Sequence, residues 1–354
     1  MQHPERVELV RLRLGLTKAG FAQSLGIDRR TLQRFDAGAE LSAQTIAALV
    51  ELSGYSASFF EKSSPLEYPN PDGVSFRSLR SLTATARDTS IAAAALAFEF
   101  DDWIAAEYDL PAHSLPALAG YEPAQAAGAL RARWAIGEGV ILNMINLLES
   151  HGVRVYSLAQ ENHGLDAYSF WRNDKPYVFL NTMKTAEHSR FDAAHELGHL
   201  VLHRHGGAKH RSAEDEANAF ASALLMPPAD LRAELPYVRS LNDILKKKKR
   251  WRVSAAALAY ALHKQKIVSD WHYRGYCIEL NKLGRESEVD GIERESSQIW
   301  QKILTDLWRR GMTLSRLSDE LDIPEKELSA LLFGIAAPPT RPPVRGVPGL
   351  RAVR

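Results

Sequence analysis

Apolar residues recur at helical spacing through most of this 354-residue chain and alternate at strand spacing in one stretch only. The first sixty residues read as five short helices. Val7 to Leu14 keeps its apolar residues on one face until Gly15 stops it, Thr17 can cap a second helix ending at Gly26, and Asp28 can cap a third through Phe35. Pro65, Pro69, Pro71 and Gly73 then punctuate a linker. From Phe76 to Leu148 the pattern is helical again, alanine-rich from Ile91 to Tyr108 and resuming from Ala124 to Trp134 after breaks near Pro111 and Pro116. Here the period changes. Val153 to Tyr156, Asp166 to Trp171 and Tyr177 to Leu180 read as strands, the last two joined by the turn-rich Arg172 to Pro176. Helical spacing returns over Phe191 to His205, Glu214 to Met226, Val253 to Leu262 and, as two helices around Ile323-Pro324, Thr313 to Phe333. The expected fold class is mainly α with a small β-sheet (α+β). Its parts are a helical bundle over 1–62, a linker over 63–75, a helical scaffold over 76–150, an α+β unit over 151–264 and a helical region over 265–337. The proline-rich, basic stretch 338–354 cannot build a core and is expected to be disordered.

Composition narrows the class without naming it. Hydrophobic residues make up 45% and charged residues 25% of the chain, the balance of a globular protein with a real core. The formal charge is +1, so any nucleic-acid binding must come from a local patch. Cys277 is the sole cysteine, which excludes an intrachain disulfide and a multi-cysteine zinc site and suits a reducing compartment. No basic-then-apolar leader opens the sequence, and the longest apolar run, Ile91 to Phe98, is too short to span a bilayer. A cytoplasmic protein with no membrane partner is expected.

The chemistry concentrates in His195-Glu196-Leu197-Gly198-His199. On a helix, His195 and His199 stand one turn apart on one face, so both imidazoles can reach a single Zn2+, and Glu196 can take the proton of the water that attacks a carbonyl. Leu197, Leu200 and Val201 fall on the opposite side as a packing face, and the bare Gly198 would leave room for metal and substrate. A third ligand is needed. His205 has the spacing of one long zinc motif, but Leu202 stands where that motif turns the chain back on a glycine, and His203 sits one further turn along the same helix. Downstream, Glu216 shares a face with Ala219, Phe220 and Ala223, so it is the expected third ligand, with Asp215 next. Tyr177 to Leu180 is the candidate edge strand for holding a peptide in extended form. The residue stabilising the oxyanion is open among His163, Tyr168, Tyr177 and His205.

The N-terminal helices carry a second set of candidates. Only Gly26-Ile27 separates the second and third helices, the connection of a helix-turn-helix, which makes Asp28 to Phe35 the recognition helix. Leu32 and Phe35 fall inward, while Arg29, Arg30, Gln33 and Arg34 face out, a set suited to base edges and phosphates; Lys18 is a further phosphate candidate. Through Leu16-Thr17, Phe21-Ala22, Leu25-Gly26-Ile27, Leu32, Phe35-Asp36 and Gly38, residues 5 to 61 resemble the Xre/Cro family of DNA-binding domains. The run Lys246 to Arg250 is a secondary phosphate candidate that reads more readily as a solvated helical face.

Arg190-Phe191, Ala194 to His199, His203, Glu216-Ala217-Asn218, Phe220-Ala221 and Leu224 to Pro227 together resemble the ImmA/IrrE family of metallopeptidases, strongly from Arg154 to Pro227 and more loosely through Lys264. The resemblance implies a zincin-like domain, ligand roles for His195, His199 and Glu216, and the base role for Glu196. It also implies regulated proteolysis, since family members act as anti-repressors that cleave a helix-turn-helix repressor. The expected protein is a DNA-binding regulator whose zinc endopeptidase cleaves a partner protein in a stress or mobile-element response; a homodimer is open. The rival is a regulator or antitoxin-like protein that keeps the zincin fold as a silent sensor.

Overall fold

The computed structural model describes residues 2–70, 83–158, 165–204, 211–284, 288–335 and 351–352. Five helices open the chain: α1 (Pro4–Arg13), α2 (Lys18–Ser24), α3 (Arg29–Asp36), α4 (Ala43–Ser53) and α5 (Ala57–Glu61). The expected caps are in place. The Thr17 side chain accepts from Gly20 N–H and the Asp28 side chain from Thr31 N–H, each meeting a donor that the first helical turn leaves without a backbone partner. A 24-residue helix, α6 (Ala84–Glu107), then runs into a two-residue strand, β1 (Tyr108–Asp109). After α7 (Pro123–Arg133) and α8 (Met144–Ser150) come three strands, β2 (Arg154–Leu158), β3 (Ala167–Arg172) and β4 (Lys175–Asn181). The fold is mainly α with a small sheet, as the hydrophobic periods require.

The sheet order is β2-β4-β3, with β2 parallel and β3 antiparallel to β4. Asn173 and Asp174 both take positive φ (49° and 61°), so the β3–β4 hairpin closes on a two-residue turn whose twist matches the strands. β4 is therefore central, with both backbone edges paired. The expectation that Tyr177 to Leu180 forms the sheet edge is corrected: the edge strand on that side is β3. Continuous burial along Pro176–Asn181, rather than alternation, is the mark of a strand covered on both faces.

The two faces of the sheet belong to two cores. Tyr156, Tyr168, Phe170, Tyr177 and Phe179 project to one side, where they pack with α6, the N-terminal helices and the last helices of the chain. Val155, Ala167, Val178 and Leu180 project to the other, against α7, α8 and the helices that follow the sheet. Strand alternation thus assigns each side chain its layer. Buried Asp101 on α6 ties the sheet down, accepting from Tyr177 Oη at 2.7 Å and pairing with Arg154 Nε at 3.1 Å. A buried carboxylate stripped of its cationic partner costs about 3–5 kcal/mol.

Behind the sheet lie α9 (Ala186–Leu202), α10 (Arg211–Leu225), α11 (Pro228–Glu234), α12 (Leu241–Trp251), α13 (Ala255–Lys264) and α14 (Asp270–Leu283). The chain then crosses back to the first core as α15 (Gln298–Arg309), α16 (Leu314–Leu321) and α17 (Glu325–Leu331). Carboxylates make these crossings. Glu149, 1% exposed at the end of α8, accepts from the backbone N–H groups of Gln298 (3.0 Å) and Ile299 (3.2 Å) at the start of α15. Asp322, between α16 and α17, accepts from Ser56 Oγ at 2.8 Å and pairs with Lys62 at 3.0 Å, and Glu327 pairs with Arg13 at 2.5 Å. The helical echo at Thr313 to Phe333 is thus docked on the N-terminal bundle. Of the stretch 338–354, Arg351–Ala352 forms a strand, β5, paired antiparallel with β1, and the rest lies outside the described residues. Among the described residues no helix is long and apolar enough to cross a membrane.

Candidate metal centre

The site is built where α9 crosses α10. Thr185 caps α9, its hydroxyl accepting from His188 N–H at 3.2 Å, and Arg190, 2% exposed, anchors the first turns by donating to Glu295 and to the Ile141 carbonyl. Glu295 in turn accepts from Met144 N–H at 2.7 Å, so α8 and α9 are held by one buried ion pair. With its ends fixed and Leu197, Leu200 and Val201 in the core, α9 has one orientation. His195 and His199 then point to one place, their Nε2 atoms 3.0 Å apart.

Gly198 serves a different end from the expected one. A Cβ there would meet Phe220 Cδ1 at 3.0 Å and Ala217 Cα at 3.3 Å, so the missing side chain lets α9 press against α10 and leaves no room for substrate. The closeness of the two helices decides the third donor. Glu214 lies 3.4 Å from His195 Nε2 and 3.5 Å from His199 Nε2 through its two oxygens, with its side chain 15% exposed. Glu216, expected in that position, is 44% exposed and instead meets His203 Nε2 at 2.9 Å. Asp215 is exposed on the outer side of α10, where it lines a cleft of about 390 Å³ with Ala219 and Ser222.

The face of α10 explains the difference. The buried stripe runs through Ala213, Ala217, Phe220, Ala221 and Leu224, and carried one turn back it reaches Glu214. Ala219, which Glu216 was expected to accompany inward, is exposed. The 3–4 spacing from Ala217 and Ala221 was the signal in the sequence that could have found Glu214.

His195, His199 and Glu214 together form a donor cluster. Three ligands at about 2.0–2.2 Å from tetrahedral zinc stand about 3.3–3.6 Å apart; the two Glu214 oxygens, at 3.4 and 3.5 Å from the rings, fall in that range, and the rings, at 3.0 Å, stand slightly closer than a bound ion would hold them. The electrostatics agree. Burial pulls His195 down, but its hydrogen bond to Glu214 and the charges of Glu196, Glu214 and Asp192 outweigh it and hold the ring above its ordinary value. The point shared by the three donors therefore favours positive charge. His199 is pushed the other way, well below the ordinary value, by burial and by the His195 and His203 rings. Residues 148–263, which carry this cluster, match the family model of the IrrE N-terminal-like domain, a peptidase family. None of the curated proteins matches the chain.

The IrrE-like stretch also carries the candidate base. Glu196 is 2% exposed, and its Oε2 accepts from Ser169 Oγ at 2.5 Å. Strand alternation turns Ser169 towards α9 while its neighbours Tyr168 and Phe170 face the other core. Burial pushes Glu196 up to about 7, against the opposing pull of His195 and of the Ser169 hydrogen bond. A carboxylate poised near neutrality takes and returns a proton readily. Of the oxyanion candidates, Tyr168 donates to the Ser90 carbonyl and Tyr177 to Asp101, both in the aromatic core, whereas His163 and His205 lie outside the described residues. A second cluster, Asp166, His188 and Asp192, already holds a cation, because Lys184 Nζ bonds Asp166 and lies 3.3 Å from His188 Nε2.

The matched stretch leaves the first helices outside it. There Arg29, Arg30, Gln33 and Arg34 are all exposed on α3, while Lys18 pairs with Asp36 at 2.8 Å. The lysine run on α12 reads differently once folded. Lys247, Lys248, Lys249 and Arg250 pair with Glu234, Glu288, Asp290 and Asp230 at 2.9, 3.2, 2.9 and 2.7 Å, so those charges are answered within the chain.

Proposed function

We propose that the protein is a zinc-dependent peptidase regulated through a DNA-binding head. The observation that carries the reading is the convergence of His195, His199 and Glu214 on one point of zinc dimensions, with the buried carboxylate of Glu196 on the same helix. Zn2+ bound there would supply Lewis-acid polarisation of a carbonyl and a water of lowered pKa. The chain's own residues supply the rest. Glu196 accepts the proton of the attacking water and passes it to the leaving amine, held in place by Ser169. Among the described strands β3 is paired on one side only, so a substrate segment laid along its other edge would be held extended beside Glu196 by main-chain hydrogen bonds.

The exposed Arg29, Arg30, Gln33 and Arg34 on the second helix of the helix-turn-helix support DNA binding by the head, with Lys18 as a phosphate contact once its exposed and therefore weak pair with Asp36 opens. The substrate is a protein, specifically a helix-turn-helix repressor or partner regulator. A head bound at the promoter raises the effective concentration of such a partner at the cleft without new contacts in it. The test is co-expression with candidate regulators, comparing wild type with Glu196→Gln by mass spectrometry. A partner cut only by wild type supports the reading. Rapid digestion of casein would overturn the tethered specificity, and no cleavage of any partner under inducing stress would favour the silent sensor.

A further inference from the structure

Glu216 and His203 are left over once Glu214 takes the third position. They are connected to the site all the same. Glu216 Oε2 lies 2.9 Å from His203 Nε2, and His203 Nδ1 lies 3.1 Å from His199 Nδ1. The far nitrogen of His199 faces His195 and Glu214. We infer that Glu216 and His203 are positioning residues that set the tautomer of His199, so that its Nε2 lone pair faces the metal. The inference rests on the zinc reading above.

The hydrogens decide the tautomer. A carboxylate only accepts, so the hydrogen in the Glu216 contact belongs to His203 Nε2. With the ring neutral, that is its single N–H, and His203 Nδ1 keeps a lone pair. Two lone pairs at 3.1 Å would repel, so His199 Nδ1 must carry its own hydrogen and donate it. Its Nε2 is then bare and directed at the donor cluster, as a metal ligand requires. His195 Nδ1 likewise donates, to Asn218 Oδ1 at 3.0 Å, and in the metal-free protein a hydrogen on His195 Nε2 faces the His199 Nε2 lone pair across the 3.0 Å between them, to be given up when a metal enters. Without Glu216 nothing holds the His203 hydrogen on Nε2. If it moves to Nδ1, it donates to His199 Nδ1 and leaves a hydrogen on His199 Nε2, where it opposes the metal.

The backbone does not need this side-chain relay. His203 N–H bonds the His199 carbonyl at 3.0 Å and ends α9 whatever its ring does. Glu216 sits at the rim, 44% exposed, so its removal leaves no cavity in the core. The effect should therefore appear in the ring and in metal affinity rather than in folding.

The test uses the full chain. Zinc affinity is measured by competition with a chromophoric chelator, and the His199 tautomer is read in the metal-free protein from long-range ¹H–¹⁵N correlations, assigned by their loss in His199→Ala. Glu216→Ala and His203→Phe should bind one zinc with affinity lower by about 10–100-fold. Glu216→Gln, whose amide oxygen still accepts, should stay within a few fold of wild type. The spectra should place the His199 hydrogen on Nδ1 in wild type and Glu216→Gln, and shift it towards Nε2 in Glu216→Ala. Wild-type affinity and tautomer in Glu216→Ala would overturn the inference. Complete loss of zinc in Glu216→Ala with retention in Glu214→Ala would overturn it too, by making Glu216 the ligand. Failure of the zinc reading itself looks different: wild type would then bind no zinc, whereas the tautomer measurement still decides the relay.

Discussion

Replacing Gly198 by Ala tests whether the metal centre depends on how closely α9 meets α10. In an isolated helix the change is favourable by about 1 kcal/mol, because glycine loses more backbone freedom on folding. Here the new Cβ would stand 3.0 Å from Phe220 Cδ1 and 3.3 Å from Ala217 Cα, and neither neighbour is a flexible tip. Phe220 and Ala217 are both 0% exposed, and Ala217 Cα is backbone of the helix that carries Glu214 three residues earlier. Overpacking of this kind costs about 1–3 kcal/mol, so the net effect is a loss of about 1 kcal/mol, or about 2 °C in Tm for a chain of this size. The larger consequence is geometric. Relief requires α10 to retreat by a few tenths of an ångström, which carries Glu214 away from both imidazoles and weakens zinc binding. Thermal unfolding and chelator competition on the same sample measure the two effects. Phe220→Leu in the same chain should return part of the zinc affinity by vacating the short contact. A Gly198→Ala protein more stable than wild type, with unchanged zinc affinity, would refute the reasoning.

Three further outcomes are expected. His195→Ala, His199→Ala and Glu214→Ala should each lose the stoichiometric zinc that Asp215→Ala retains, as read by metal analysis of the purified proteins; retention in Glu214→Ala would remove it from the donor set. Glu149 is held by burial at about 7, against an ordinary 4.5, so it contributes stability below the ordinary value that is lost as pH rises through about 7. The neutral acid is the favoured folded form, its unpartnered Oε1 free to carry the proton while Oε2 accepts from α15. Between pH 5 and 7.5 denaturant unfolding should favour Glu149→Gln over wild type by a growing margin approaching about 3 kcal/mol, and a margin flat with pH would contradict the cause given. The triple variant of Arg29, Arg30 and Arg34 to Ala should lose salt-dependent binding to the chain's own promoter in a gel shift; unchanged binding would move the DNA site elsewhere.

The order of helices, the short sheet and the His195–His199 pair were legible in the sequence because each follows from a local repeat. Period 3.6 makes a helix, period 2 a strand, and a four-residue spacing puts two rings on one side of a turn whatever the rest of the chain does. The paired charges of Lys247 to Arg250 were not legible, since Glu234, Glu288, Asp290 and Asp230 reach them only by tertiary packing. The same holds for β4, whose central place depends on which strands pair and not on its own residues. Glu214 and Glu216 are the sharpest case. Both are acidic and both lie near the start of one amphipathic helix, and the sequence alone points to Glu216, with Asp215 next and Glu214 left to solvent. Which of them reaches the imidazoles depends on the rotation of α10 about its axis, where two residues make a difference of about 200°. That rotation is set by Ala217 and Phe220 packing against Gly198 on a helix some twenty residues earlier, a contact that only the folded chain brings together.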